Sequence, residues 1–151
     1  MQLTQKEKDL LKDLKTEEDI CAKKYAKYSS CAKDPQLKNL FSQISSIETG
    51  HLNTLKEIES GVVPTMSSGG SEGTPTFSET YKGGDNDDKS ADSYLCTDLL
   101  NTEKHASGLY DTCIFEFTDE NVRNVLNHIQ KEEQTHGKML YDYMSKNNMV
   151  G

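Results

Sequence analysis

The chain has 151 residues, a formal net charge of −8 and four cysteines. That length suits one domain, and the acidic balance excludes nucleic acid and anionic membrane surfaces as partners, because both need a basic face. No segment approaches the roughly 20 apolar residues needed to span a bilayer. The opening run Met1-Gln2-Leu3-Thr4-Gln5-Lys6-Glu7-Lys8 lacks the apolar stretch of a secretory signal, so a cytoplasmic location is expected. In that reducing setting Cys21, Cys31, Cys96 and Cys113, which form no Cys-x-x-Cys pair, read as ordinary thiols.

In chain order, Leu10/Leu11, Leu14, Cys21, Tyr25 and Tyr28 recur at three- and four-residue steps and predict a helix to about residue 32, with Glu18 on its apolar face. Asp34-Pro35 ends it and opens the next, since proline disfavours helix at the residue before it and suits the first turn after an Asp N-cap. Leu37, Leu40/Phe41, Ile44, Ile47/Glu48, His51/Leu52 and Leu55 then mark the inward stripe of a second helix. From about 61 to 90 the chain is rich in Gly, Ser, Thr, Pro and Asp, including Ser67-Ser68-Gly69-Gly70 and Gly83-Gly84-Asp85-Asn86-Asp87-Asp88, and reads as an irregular connection. Val62, Val63, Phe77 and Tyr81 are its candidate anchors. Leu95, Leu99, Glu103, Ala106, Tyr110 and Cys113 predict a third helix; Asp119 is the N-cap of a fourth, marked by Val122, Val125/Leu126, Ile129, Glu133, His136 and Leu140.

The two halves repeat. Laid over itself at an offset of 85, with His136 on His51, the chain matches Glu18 with Glu103 and Glu48 with Glu133 without a gap. Leu14 with Leu99, Tyr25 with Tyr110, Asp34 with Asp119 and Ile44 with Ile129 follow. Glu18 stands 16 residues before Asp34, and Glu48 and His51 stand 14 and 17 after it, so all three share one depth in an antiparallel hairpin. The second half builds a matching layer. The expectation is a single all-α domain over 1–151: a four-helix bundle of hairpins at about 4–60 and 91–147, joined by a long crossover.

Glu18, Glu48, His51, Glu103, Glu133 and His136 then form the ligand set of a dinuclear metal site. Residues at i and i+3 share a helix face, so each Glu-x-x-His pair points inward together. Glu48 and Glu133 are the expected bridges; Glu18 with His51 and Glu103 with His136 are the terminal ligands. Four carboxylates roughly balance two divalent ions, and iron and manganese both suit the donors.

The pattern Glu18, Glu48-Thr49-Gly50-His51, Glu103, Glu133-Gln134-Thr135-His136 resembles the ferritin-like superfamily, most closely its rubrerythrin-type members. That resemblance implies a ferritin-like bundle holding two iron ions, with manganese as the alternative, and oxidase- or peroxidase-like reaction with oxygen or peroxide. It also implies that Tyr25 and Tyr110 hold the ligands from behind. The run Lys23-Lys24-Tyr25 and the stretch Asp34-Pro35-Gln36-Leu37-Lys38-Asn39-Leu40 resemble the coat F domain family of spore-forming bacteria, which implies a place in the spore coat. A homodimer or a coat assembly is the self-association expected, and a structural coat component without turnover is the rival function. No rubredoxin-like cysteine set accompanies the bundle, and Ala106 stands where rubrerythrins carry an extra carboxylate, with Cys21 at the equivalent place in the first half.

Other polar residues read as peripheral. Glu17, Glu116 and Glu132 have no repeat partner and read as surface charges, with the choice between Glu132 and Glu133 resting on the repeat. His105 and His128 fall opposite Ile20 and Gln43. Cys21 reads as an inert thiol, and Asp85 to Asp88, lacking EF-hand spacing, as a solvated loop.

Overall fold

The structure is a computed structural model that describes residues 1–65 and 74–150. Four helices follow in order: α1 Gln5–Cys31, α2 Pro35–Glu59, α3 Asp87–Glu116 and α4 Glu120–Lys146. Among the described residues there is no strand, and no helix is long and apolar enough to cross a membrane. Each start is fixed by a cap. Thr4 and Glu7 form a reciprocal capping box on α1, Asp34 with Pro35 opens α2, and Asp119 accepts from the amides of Asn121 and Val122 at α4. At the end of α2 the Gly61 and Val62 amides bond back to Ile58 and Glu57. That closure needs the left-handed backbone of Gly61, φ 93°.

The connection 61–90 needs one correction. Asn86 caps α3 through the Lys89 amide, Asp87 and Asp88 occupy the first helical turn, and Asp85 pairs with Lys89 at 2.9 Å. An Asn cap followed by acidic residues is favoured at a helix start, where their charge meets the positive end of the dipole. Of the four expected anchors, Val63, Phe77 and Tyr81 pack inward, while Val62 is exposed. The Ser67-Ser68-Gly69-Gly70 run lies outside the described residues.

The helices pack as two hairpins around two apolar clusters, one toward each end of the bundle. Tyr25, Phe41, Leu99, Leu140 and Tyr143 lie in one; Leu11, Leu14, Leu55, Tyr110, Phe117 and Leu126 in the other. Of the connection's described residues, Val63 packs on the second cluster and Phe77 on the first, at opposite ends of the bundle.

The duplication reaches further than the helix faces. Each hairpin's turn is clasped by a carboxylate from the other hairpin, and the two carboxylates, Glu7 and Asp92, occupy the same repeat position. Glu7 accepts from the Thr118 amide at 3.2 Å; Asp92 accepts from the Lys33 and Asp34 amides at 2.8 and 2.9 Å. Burial pushes the Glu7 carboxyl up, but the backbone hydrogen bonds from Thr4 and Thr118 outweigh it and hold it below the usual carboxylate range. A lowered folded-state value means stability that is complete above the unfolded value and lost as pH falls through the folded one. Glu7→Ala is therefore expected to cost about 1–2 kcal/mol near neutral pH, a helix cap plus one interhelical bond. The charge-dependent part of the difference from wild type should be full near neutral pH and lost only in acid below the lowered folded-state value of Glu7. Urea denaturation at neutral pH and in acid checks this.

Candidate metal centre

α1 supplies Glu18, α2 Glu48 and His51, α3 Glu103, and α4 Glu133 and His136. The structure brings all six together between the two apolar clusters, and none is more than 4% exposed. Their donor atoms fall into two groups: Glu18, Glu48, His51 and Glu133 in one, Glu48, Glu103, Glu133 and His136 in the other. Within each group every donor lies within 4.8 Å of the others. Glu48 and Glu133 belong to both, the position expected of bridging carboxylates, and Glu133 rather than Glu132 is the inward one.

Helix geometry explains the convergence. Glu48 with His51 and Glu133 with His136 each share a helix face at i,i+3, and Glu18 and Glu103 reach the same layer from the partner helices. His51 Nδ1 lies 3.2 Å from Glu133, 3.5 Å from Glu48 and 3.7 Å from Glu18. His136 Nδ1 lies 2.9 Å from Glu48, 3.4 Å from Glu103 and 3.8 Å from Glu133. None of these approaches is aligned as a hydrogen bond: both Nδ1 atoms, both oxygens of Glu48 and Glu133, and one oxygen each of Glu18 and Glu103 are buried without a partner. Eight orphaned donor atoms facing one interior volume are costly as they stand. They fit the demand of cations.

The two tyrosines cross between the halves. Tyr25 of α1 donates to Glu103 of α3 at 2.6 Å, and Tyr110 of α3 donates to Glu18 of α1 at 2.5 Å. Each terminal carboxylate thus has one oxygen tied back and one free. Tyr25 also packs edge-on to Phe41, so it is a core aromatic as well. Burial and the adjacent carboxylates hold both phenols well above their ordinary pKa, which keeps the donated protons in place.

The charge balance of the cluster favours positive charge. Burial pushes the Glu103 carboxyl well up, and the Glu133 carboxylate adds to it. Glu133 is held low despite burial, because the Glu103 carboxyl and both imidazoles lie close to it. Burial alone would lower the imidazoles. The surrounding carboxylates override it, raising His51 well above its ordinary value and His136 to about 12. Without cations, protons do the neutralising.

Residues 91–150 match the Coat F domain. The Coat F match takes in α4 and all but the first turn of α3, and so contains Glu103, Glu133, His136 and Tyr110. No curated protein and no solved structure matches the chain. The first hairpin carries the same pattern through the internal repeat.

The remaining candidates sort by position. Cys21 lies outside both donor groups, 3.6 Å from Glu17, and burial with the nearby Glu48 carboxylate raises its thiol far above the ordinary value, which leaves it an inert protonated thiol. His105 is exposed beside Glu17. The expectation for Glu132 and His128 needs revision: Glu132 Oε1 lies 3.1 Å from His51 Nε2 and 3.0 Å from His128 Nε2, joining a buried ligand candidate to the surface. The His51 hydrogen bond holds the Glu132 carboxyl below its usual range. The repeat could not reveal this, since Ile47 stands at the equivalent position. The i,i+4 spacing of His128 and Glu132 was the available signal.

Proposed function

We propose that the buried cluster holds two divalent cations, iron or manganese, in a ferritin-like protein of the coat F type. Glu48 and Glu133 bridge the ions, Glu18 with His51 hold one and Glu103 with His136 the other. The observation that carries the reading is the set of eight unpartnered donor atoms in two groups that share the two central carboxylates. A structural polar network would have satisfied those atoms internally. Four carboxylates balance two divalent charges, and the donor types suit iron and manganese alike.

An iron or manganese pair, when bound, supplies redox chemistry toward oxygen or peroxide. The chain's own part is to hold and to exclude. Tyr25 and Tyr110 fix the terminal carboxylates with one oxygen free, and the two apolar clusters keep bulk water from the bridging pair.

Metal analysis after anaerobic loading with Fe(II) or Mn(II) tests the reading. Wild type is expected to retain close to two ions per chain, and Glu48→Ala and His136→Ala one or fewer. A wild type holding far less than one ion per chain would end the proposal.

The Coat F match favours a second reading, a structural component of the spore coat without turnover, made in the cytoplasm and incorporated by self-association. Rapid consumption of oxygen or peroxide by the loaded protein would count against it; loaded protein that is inert toward both would support it. Iron storage is a different matter, requiring a hollow cage that size-exclusion chromatography would reveal.

A further inference from the structure

The two halves of the cluster are related by the repeat, yet their outer surroundings differ. His51 has a carboxylate behind it, Glu132 of the opposite hairpin, at 3.1 Å from Nε2. The repeat equivalents of Glu132 and His128 are Ile47 and Gln43, so the duplicated half has neither group. Among the described residues the carboxylates close to His136 all lie on its Nδ1 side, and none stands behind its Nε2 as Glu132 stands behind that of His51. Glu132 is itself held from outside by His128, at 3.0 Å, and its side chain is only one quarter exposed.

From this asymmetry we infer that Glu132 is a positioning residue for His51 and makes the two cation positions unequal, the one beside His51 being the tighter. The inference rests on the two-cation reading above. An imidazole that gives its Nε2 proton to a carboxylate is fixed in one tautomer and one ring orientation. Its Nδ1 then carries the lone pair, and that atom faces Glu18, Glu48 and Glu133. Such an outer carboxylate also makes the ligand nitrogen more basic. His136 lacks that outer carboxylate, Ile47 standing at the repeat position, so its ion is held by a less prepared ligand. Glu132 needs no contact with either ion to act this way.

Titration of the full-length protein with Co(II), followed by visible absorption, reads the two steps directly. Wild type is expected to bind in two unequal steps. In Glu132→Leu the tighter step should weaken 10- to 100-fold, the range for loss of an outer partner of a ligand histidine, while the other step holds. Glu132→Gln keeps a carbonyl acceptor and is expected to restore most of the loss. His128→Ala, which leaves the Glu132–His51 contact intact, should leave both steps in place. In the Zn(II)-loaded protein, nitrogen NMR should find the His51 proton on Nε2 in wild type and Glu132→Gln, and not fixed there in Glu132→Leu.

Two equal steps in wild type, or unchanged steps and an unchanged His51 tautomer in Glu132→Leu, would overturn the role of Glu132 while the two-cation reading stands. A wild type that takes up no Co(II) would overturn both.

Discussion

Glu48→Leu is expected to make the metal-free protein more stable than wild type and the metal-loaded protein less stable. Both oxygens of Glu48 are buried without a hydrogen-bond partner, in a volume shared with three other carboxylates. A buried polar group without a hydrogen-bond partner costs about 1–3 kcal/mol, so an apolar side chain of similar size relieves that cost. The neighbouring carboxylates add to the gain, and loss of the carboxylate beside His136 Nδ1 at 2.9 Å offsets part of it. With roughly 2–4 °C per kcal/mol for a chain of this size, the metal-free variant should melt several degrees higher. Loading reverses the order. An ion that binds only the folded state contributes about 2.7 kcal/mol at 100 times its Kd, and wild type has two such positions where the variant lacks a bridge to both. Thermal melts of both proteins, with chelator and with excess Mn(II), give four midpoints. If Glu48→Leu melts below wild type in chelator, the cluster is a structural network and not a strained receptor for cations.

The same cluster shows what a sequence of this kind discloses. The hairpins were legible because Asp34-Pro35 and Asp119 mark the turns and the three- and four-residue steps mark the faces, all local signals. The six candidate ligands were legible because duplication repeated them in register, which a lone Glu-x-x-His could not have done. What stayed hidden depends on contacts between the hairpins. The crossing of Tyr25 to Glu103 and Tyr110 to Glu18 needs the relative placement of α1 and α3. Glu132 departs from the repeat, so the method that found its neighbours passed over it. The start of α3 was masked by composition: Gly83-Gly84-Asp85 reads as loop, and the Asn86 cap that begins the helix sits inside the same polar run. Glu7 and Asp92 did align, but an acidic pair of unequal length on polar stretches says nothing until the opposite turn supplies the amides.

Asp92 is the residue whose loss should be felt most widely. It is fully buried and accepts three hydrogen bonds, from the Lys33 and Asp34 amides of the first turn and from the Tyr81 hydroxyl of the crossover at 2.5 Å. A single side chain therefore ties α3 to the α1–α2 turn and to the connection that precedes it. The neighbouring Asn147 repeats the arrangement from α4, accepting from the Thr80 and Tyr81 amides, and Tyr143 donates to Asp34 at 2.6 Å. Asp92→Leu leaves three donors facing an apolar group. Each buried donor left without a partner costs about 1–3 kcal/mol, and water entering beside Lys33 offsets part of that, so a loss of about 3–5 kcal/mol is expected, or a midpoint lower by about 10 °C. Amide exchange at residues 33 and 34 should quicken well beyond that at residue 118, which Glu7 holds separately. Metal stoichiometry should survive in the fraction that remains folded, since Asp92 belongs to neither donor group. A variant within 1 kcal/mol of wild type would show that Tyr143 holds the turn and Asn147 the crossover without the α3 carboxylate, and that the clasp at Asp92 has no mechanical role.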